Sequence, residues 1–218
     1  MRIVAQRLQP MDVPFAFVGG AVMCLLVDNP KIMQFRRTKD VDVIVAAVTY
    51  TQFAGLEQKL RVHGFQHDTS PGALICRWIV DGCLVDIMPQ DTANLGMNTR
   101  WFPEALRLSV PKDLGEGGRA HVVTPALFLA TKIEAFKDRG KQDFYSSHDL
   151  EDSFTLVDGR AGIVGDVTKT ETAVQQFVTA GFKEIRGNSY FRDALICHIA
   201  EPFRRPIVQL RFEAVAAL

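Results

Sequence analysis

Three aspartates stand where apolar residues would be expected. Asp40 and Asp42 lie one residue apart in Arg37-Thr-Lys-Asp-Val-Asp-Val-Ile-Val45, and Asp86 interrupts Leu84-Val-Asp-Ile-Met88. In an extended strand alternate side chains share a face, so Asp40 and Asp42 point one way and Val41 and Val43 the other. Like charges this close repel, and burial raises the cost of each ionised carboxylate. A hard divalent cation relieves both costs, because it prefers carboxylate oxygen. If the strand carrying Asp86 pairs beside Val41–Val45, the three carboxylates converge and can hold one or two Mg²⁺ ions. Such ions would neutralise a triphosphate, orient it and activate an attacking hydroxyl. Each aspartate also has a plainer reading. Asp40 fits a turn or strand edge, and Asp86 could pair with Arg77 across a hairpin. Asp42, between valines, is hardest to explain without function, since a buried unpaired carboxylate is costly.

The elements that must position these residues follow from the pattern around them. Phe15–Gly20 reads as a strand running into a glycine turn, and Ala21–Val27 as a helix packed on the sheet, stopped near Asn29-Pro30. Gly19-Gly20 at that junction would let a backbone approach phosphate, with helix amides aimed at it. It is neither the dinucleotide fingerprint nor a GxxxxGK[ST] loop. Asp40–Val45 is a strand. A helix follows, with Phe53, Leu56 and Leu60 at helical spacing and Thr49 or Thr51 as its cap. Asp81-Gly82 between two apolar runs predicts a two-residue hairpin, which sets Val80 opposite Cys83, Trp78 opposite Val85 and Arg77 opposite Asp86.

Residues 89–118 read as irregular, with a short strand around Leu106–Val110. Thr124-Pro125 then opens a helix whose apolar face is Phe128, Leu129, Ile133 and Phe136, closed by Gly140. Further helices are expected over His148–Val157, Thr170–Ala180 and Ser189–His198. The expected fold class is α+β, a mixed sheet with flanking helices followed by a mainly helical half. The boundary is placed near residue 120, giving a catalytic α/β part over 1–120 and a helical part over 121–218 packed against it.

Composition narrows the function classes. The 218 residues carry 25 Lys plus Arg and 25 Asp plus Glu, a formal charge of zero. That argues against a strongly basic nucleic-acid scaffold but leaves room for a local basic patch. The four cysteines, Cys24, Cys76, Cys83 and Cys197, are dispersed in apolar contexts, without zinc spacing. They are expected to be buried free thiols in a reducing compartment. Met1–Pro14 has no signal-peptide pattern, and no run is long and apolar enough to span a membrane, so the expected location is the cytoplasm.

The combination Phe17-Val-Gly-Gly-Ala-Val22, Arg36-Arg-Thr-Lys-Asp-Val-Asp-Val-Ile-Val45 and Leu84-Val-Asp-Ile-Met-Pro89 resembles the nucleotidyltransferase superfamily. Its pattern is a glycine turn, Asp-x-Asp on a strand, then a separate aspartate. The later stretch with Lys132 and Asp149-Leu-Glu-Asp152 resembles the helical half of the abortive-infection, toxin-type branch. The likeness spans roughly residues 15 to 160, and nothing familiar follows Thr170. It implies a nucleotidyltransferase-like sheet and metal-dependent transfer of a nucleoside monophosphate from a nucleoside triphosphate, ATP included, with release of pyrophosphate. Asp40, Asp42 and Asp86 would be catalytic and hold Mg²⁺. Gly19 and Gly20 would contact the triphosphate. Lys132 would reach a phosphate, and Asp149 would orient Lys132 or contact the base. The acceptor would be tRNA, a protein or a small hydroxylated molecule, with an antitoxin-like protein as partner. Two departures stand out: nineteen residues separate Gly20 from Asp40, and Ala21 follows Gly20 where the family often has a serine.

The remaining candidates carry two readings each. Arg36, Arg37 and Lys39 are a solvated basic stretch or a triphosphate-binding one; Arg139 and Lys141 share that ambiguity. Lys132 is a surface charge unless the resemblance holds. His148 is a helix cap or a solvated side chain. Trp78 and Trp101 pack or stack on a base. Two other function classes stay open. One is a nucleotide- or partner-binding protein on the same scaffold with impaired catalysis, and the other a metal-dependent phosphoester hydrolase.

Overall fold

The computed structural model describes residues 1–47, 49–91, 100–138 and 142–218, with Tyr50 by its backbone alone. The helix end expected at Gly140, and Arg139 and Lys141, lie outside the described residues. The chain divides into two compact units, one formed by Met1–Val22 and Arg37–Thr124, the other by Met23–Arg36 and Pro125–Leu218.

The first unit is built on a mixed sheet. Its strands are β1 (Phe15–Val18), β2 (Asp40–Val45), β3 (Gln66–His67), β4 (Arg77–Val80), β5 (Cys83–Pro89), β6 (Val110–Gly115) and β7 (Gly118–Val122). They lie side by side in the order β3-β4-β5-β2-β1-β7-β6. The β4–β5 hairpin has the register that Asp81-Gly82 predicts, with Arg77 opposite Asp86 and Val80 opposite Cys83. Both turn residues have positive φ, 46° at Asp81 and 76° at Gly82, the twist that two-residue hairpins require. β5 runs parallel to β2 in continuous register, and β1 runs antiparallel to it.

Helices flank this sheet. Helix α1 (Arg2–Leu8) lies against β7. The Ala21–Val27 run is not one helix: Gly20–Val22 forms a single 3₁₀ turn, and only Met23–Leu26, which belongs to the second unit, is α-helical (α2). Helix α3 (Tyr50–Val62) starts at Thr49, which with Gln52 forms a reciprocal capping box; Leu56 and Leu60 are buried. Helix α4 (Phe102–Arg107), with Pro103 in its first turn, overlaps only the start of the strand expected around Leu106–Val110, and β6 begins at Val110. The β6–β7 hairpin is a further addition to the expected elements. The sheet core holds Phe17, Ile44, Trp78, Val85 and Ile87 at 2% exposure or less.

The described residues of the second unit are helical apart from its loops. It contains α2, α5 (Pro125–Lys137), α6 (His148–Gly159), α7 (Ile163–Thr168), α8 (Thr172–Gly187), α9 (Phe191–His198) and α10 (Arg205–Ala216). The apolar face read on α5 is buried at Phe128, Leu129, Ile133 and Phe136. Phe154, Phe182 and Phe212 form a stack with centroids 5.0 and 4.1 Å apart, joining α6, α8 and α10. Ser147 caps α6 by accepting from the Leu150 amide. His148 is exposed and contacts Glu151 instead.

Candidate active site

The parallel pairing of β2 and β5 sets Asp42 beside Asp86, with Asp40 beside Leu84. Because side chains alternate along each strand, Asp40, Asp42 and Asp86 share one face of the sheet. Asp86 is 4% exposed, and Asp40 and Asp42 are half-buried. Arg77 lies on the same face, on the far side of Asp86. Its Nε and Nη2 donate to the two Asp86 oxygens at 2.8 Å each, and Nη2 also donates to Asp40 Oδ2 at 2.6 Å. The guanidinium therefore bridges across β5 to β2. Its pKa is raised, first by the hydrogen bonds it donates to Asp86 and further by the Asp86 and Asp40 charges.

The glycine turn meets this cluster at Asp42. Val18 is paired with Asp42, so Gly19 follows immediately beside it. Gly19 has φ +70°, and a Cβ there would fall within the Asp42 carboxylate, 2.6 Å from its Cγ. Only glycine allows that approach. Gly19→Ala is expected to lose at least ~1–2 kcal/mol from the left-handed backbone alone, and to push Asp42 out of place. A urea unfolding curve matching wild type would show that the turn tolerates a side chain. A 3₁₀ turn and the four-residue α2 follow the glycines, in place of the longer helix expected over Ala21–Val27.

The donor chemistry here suits a hard divalent cation, and two of the three carboxylates are engaged by Arg77. Among the described residues, no group of three or more His, Cys, Asp or Glu side chains is set to hold a metal ion. The expected metal set, Asp40, Asp42 and Asp86, is gathered by the sheet, yet two of its members close on a guanidinium. Arg77 was visible in the sequence only as a hairpin partner of Asp86. Its second bond, to Asp40, depends on strand order.

Lys132 and Asp149 meet in the helical unit, where α5 packs on α6. Lys132 Nζ donates to Asp149 Oδ1 at 3.0 Å and lies 2.7 Å from Asp152 Oδ2. All three are buried, at 7%, 7% and 5% exposure. Asp149 and Asp152 stand three residues apart on α6, so both face the same lysine. Burial pulls the Lys132 pKa down, but the charges of Asp152 and Asp149 outweigh it, and the ammonium is held above its ordinary value. Arg36 joins from the 23–36 segment, 3.4 Å from Asp152 and 4.0 Å from Glu151. Arg36 is therefore half-buried and paired with carboxylates of α6. Asp152, quoted in the motif but given no role, is a member of this cluster; its signal was the three-residue spacing to Asp149.

The other candidates separate cleanly. Arg37 and Lys39 are exposed just ahead of β2. Trp78 and Trp101 are 0% and 3% exposed, so both pack, and Trp78 stacks on His67 at 3.6 Å. A cavity of about 900 Å³ in the sheet unit opens at the opposite ends of β1 and β2, lined by Phe15, Ala46 and Gln90 and not by the three aspartates. All four cysteines are thiols, but Cys24 and Cys197 are exposed, against the expectation of four buried thiols. Burial pushes the Cys76 thiol up to about 11, with the Asp86 and Asp42 charges adding to it. A disulfide reagent near neutral pH should therefore modify Cys24 and Cys197 in the folded protein and reach Cys76 only on unfolding. Fast modification of Cys76 in the native state would contradict this placement.

No family model matches the chain, and no curated protein matches it significantly. Among solved structures it is similar to an antigenic nucleotidyltransferase-like protein from Paracoccidioides brasiliensis, with 17% identity over 98% of this chain and 90% of that one, at a TM-score of 0.47. It is similar also to ANT(2")-Ia, solved in complex with adenylyl-2"-tobramycin, with 13% identity over 84% of this chain and 94% of that one, at a TM-score of 0.46.

Proposed function

We propose that the chain is a nucleotidyltransferase that moves a nucleoside monophosphate from a nucleoside triphosphate to an acceptor hydroxyl. The observation that carries this reading is the register of Asp42 beside Asp86, with the Gly19 backbone packed against Asp42. An acceptor oxygen bonds to the α-phosphorus, the α–β bridging bond breaks, and pyrophosphate leaves with the electron pair. The acceptor proton passes to a carboxylate of the cluster, with Asp86 assigned that part. Mg²⁺ held by these carboxylates would supply charge neutralisation and a more acidic acceptor hydroxyl. Gly19 and Gly20 leave the turn backbone open to phosphate, and the exposed Arg37 and Lys39 supply positive charge nearby in sequence. Lys132 enters as a positioning residue that joins α5 to α6 through Asp149 and Asp152. The acceptor classes are RNA, a protein or a small hydroxylated molecule, with an antitoxin-like protein as binding partner.

A second reading is favoured by one feature, the closure of Asp40 and Asp86 on Arg77. In it the chain binds nucleotide or a partner without turnover. Incubation with Mg²⁺, each α-labelled triphosphate and total RNA or protein separates the two. Label joined to an acceptor supports transfer, free monophosphate supports hydrolysis, and nucleotide retention without product supports the binding reading.

A further inference from the structure

We infer that Arg77 is the resident counter-ion of the carboxylate cluster, and that a divalent cation enters only by displacing its guanidinium from Asp40 and Asp86. This rests on the reading that the cluster serves metal-dependent chemistry, and it addresses why the three carboxylates do not stand open. A cross-strand ion pair alone would engage Asp86, the residue opposite Arg77. Here Nη2 serves Asp86 Oδ2 at 2.8 Å and Asp40 Oδ2 at 2.6 Å at once. That nitrogen stands between two oxygens from different strands and serves both with one positive charge. Mg²⁺ needs its oxygens at roughly 2.0–2.1 Å in octahedral array, so ion and guanidinium exclude each other there.

The Arg77 side chain is 20% exposed and can swing toward water, whereas Asp86, at 5%, stays fixed in the sheet. Arginine keeps its charge at any working pH, so the competition is relieved by movement and not by loss of a proton. The fork geometry matters too: it satisfies both Asp86 oxygens and still reaches Asp40, which a lysine's single ammonium could not do.

The test uses Mn²⁺ as an electron-paramagnetic probe, without nucleotide, on the full chain. Arg77→Gln should bind Mn²⁺ at least about tenfold more tightly than wild type, the loss of one charge-assisted competitor. Adding Asp42→Asn to that variant should abolish the gain. In the wild type, the Arg77 Nε–H should be protected from solvent exchange without metal and become exchangeable as Mg²⁺ saturates. Equal Mn²⁺ affinity in both proteins, with Asp42-dependent binding and a still-protected Nε–H, would overturn the counter-ion role and leave the proposed function standing. Absence of Asp42-dependent binding in either protein would overturn both. If Arg77→Gln does not fold, the wild-type exchange measurement decides: protection retained at saturating Mg²⁺ refutes the displacement.

Discussion

Lys132→Met should lower the unfolding free energy by about 3–5 kcal/mol, the cost of leaving buried carboxylates without their cation. Lys132 holds Asp149 and Asp152 together, and all three are buried. Methionine keeps the volume, so the loss reports charge and not a cavity. Combining it with Asp149→Asn and Asp152→Asn should recover much of the stability, because the uncompensated charges go with the lysine. The pH dependence has a defined sign. The folded-state pKa of Lys132 is raised above 10.5, so its stabilising share is complete below 10.5 and is lost as pH rises through the higher folded value. Lys132→Met should lack that alkaline loss. Urea denaturation across the alkaline range measures both effects, and a change under ~1 kcal/mol would mean that the cluster is open to water.

Asp42→Asn should reduce nucleotidyl transfer by roughly 100-fold or more, since even outer partners of metal ligands cost 10- to 100-fold when removed. The substitution keeps shape and strand, and Asp42 continues to pair by backbone with Val18 and Asp86. The unfolding midpoint should therefore stay near wild type while pyrophosphate release falls. Gly19 makes the effect local: its turn leaves room for the Asp42 side chain and for little else. Full turnover in this variant would remove Asp42 from the chemistry and with it the proposed site.

The hairpin was the most legible part of the chain. Asp81-Gly82 names a turn type, the turn type sets the register, and the register puts Arg77 opposite Asp86. The conditional step, β5 beside β2, needed information that no local pattern contains, because α3, β3 and β4 intervene. That step decides both the meeting of the carboxylates and the reach of Arg77 to Asp40. The β6–β7 hairpin was hidden for another reason. Val110–Gly115 contains proline and glycine and is largely exposed, so it lacks the apolar alternation of a half-buried strand. Helix α4 carried a usable signal, Pro103 in its first turn, within a stretch too short for periodicity to speak. The buried partners of Lys132 were written as a spacing on α6, but burial of the lysine depends on α5 packing there.

The segment 23–36 gives the chain an unusual inheritance. Its backbone passes from one body to the other after residues 22, 36 and 124. Met23, Leu26 and Val27 bury their side chains, and α2 lies against α6, which arrives more than a hundred residues later. A gene fragment stopping at residue 124 would thus carry a greasy strip stripped of its cover. Exchange of one body for a cousin's needs three junctions in the gene, and a single crossover separates residues that share a core.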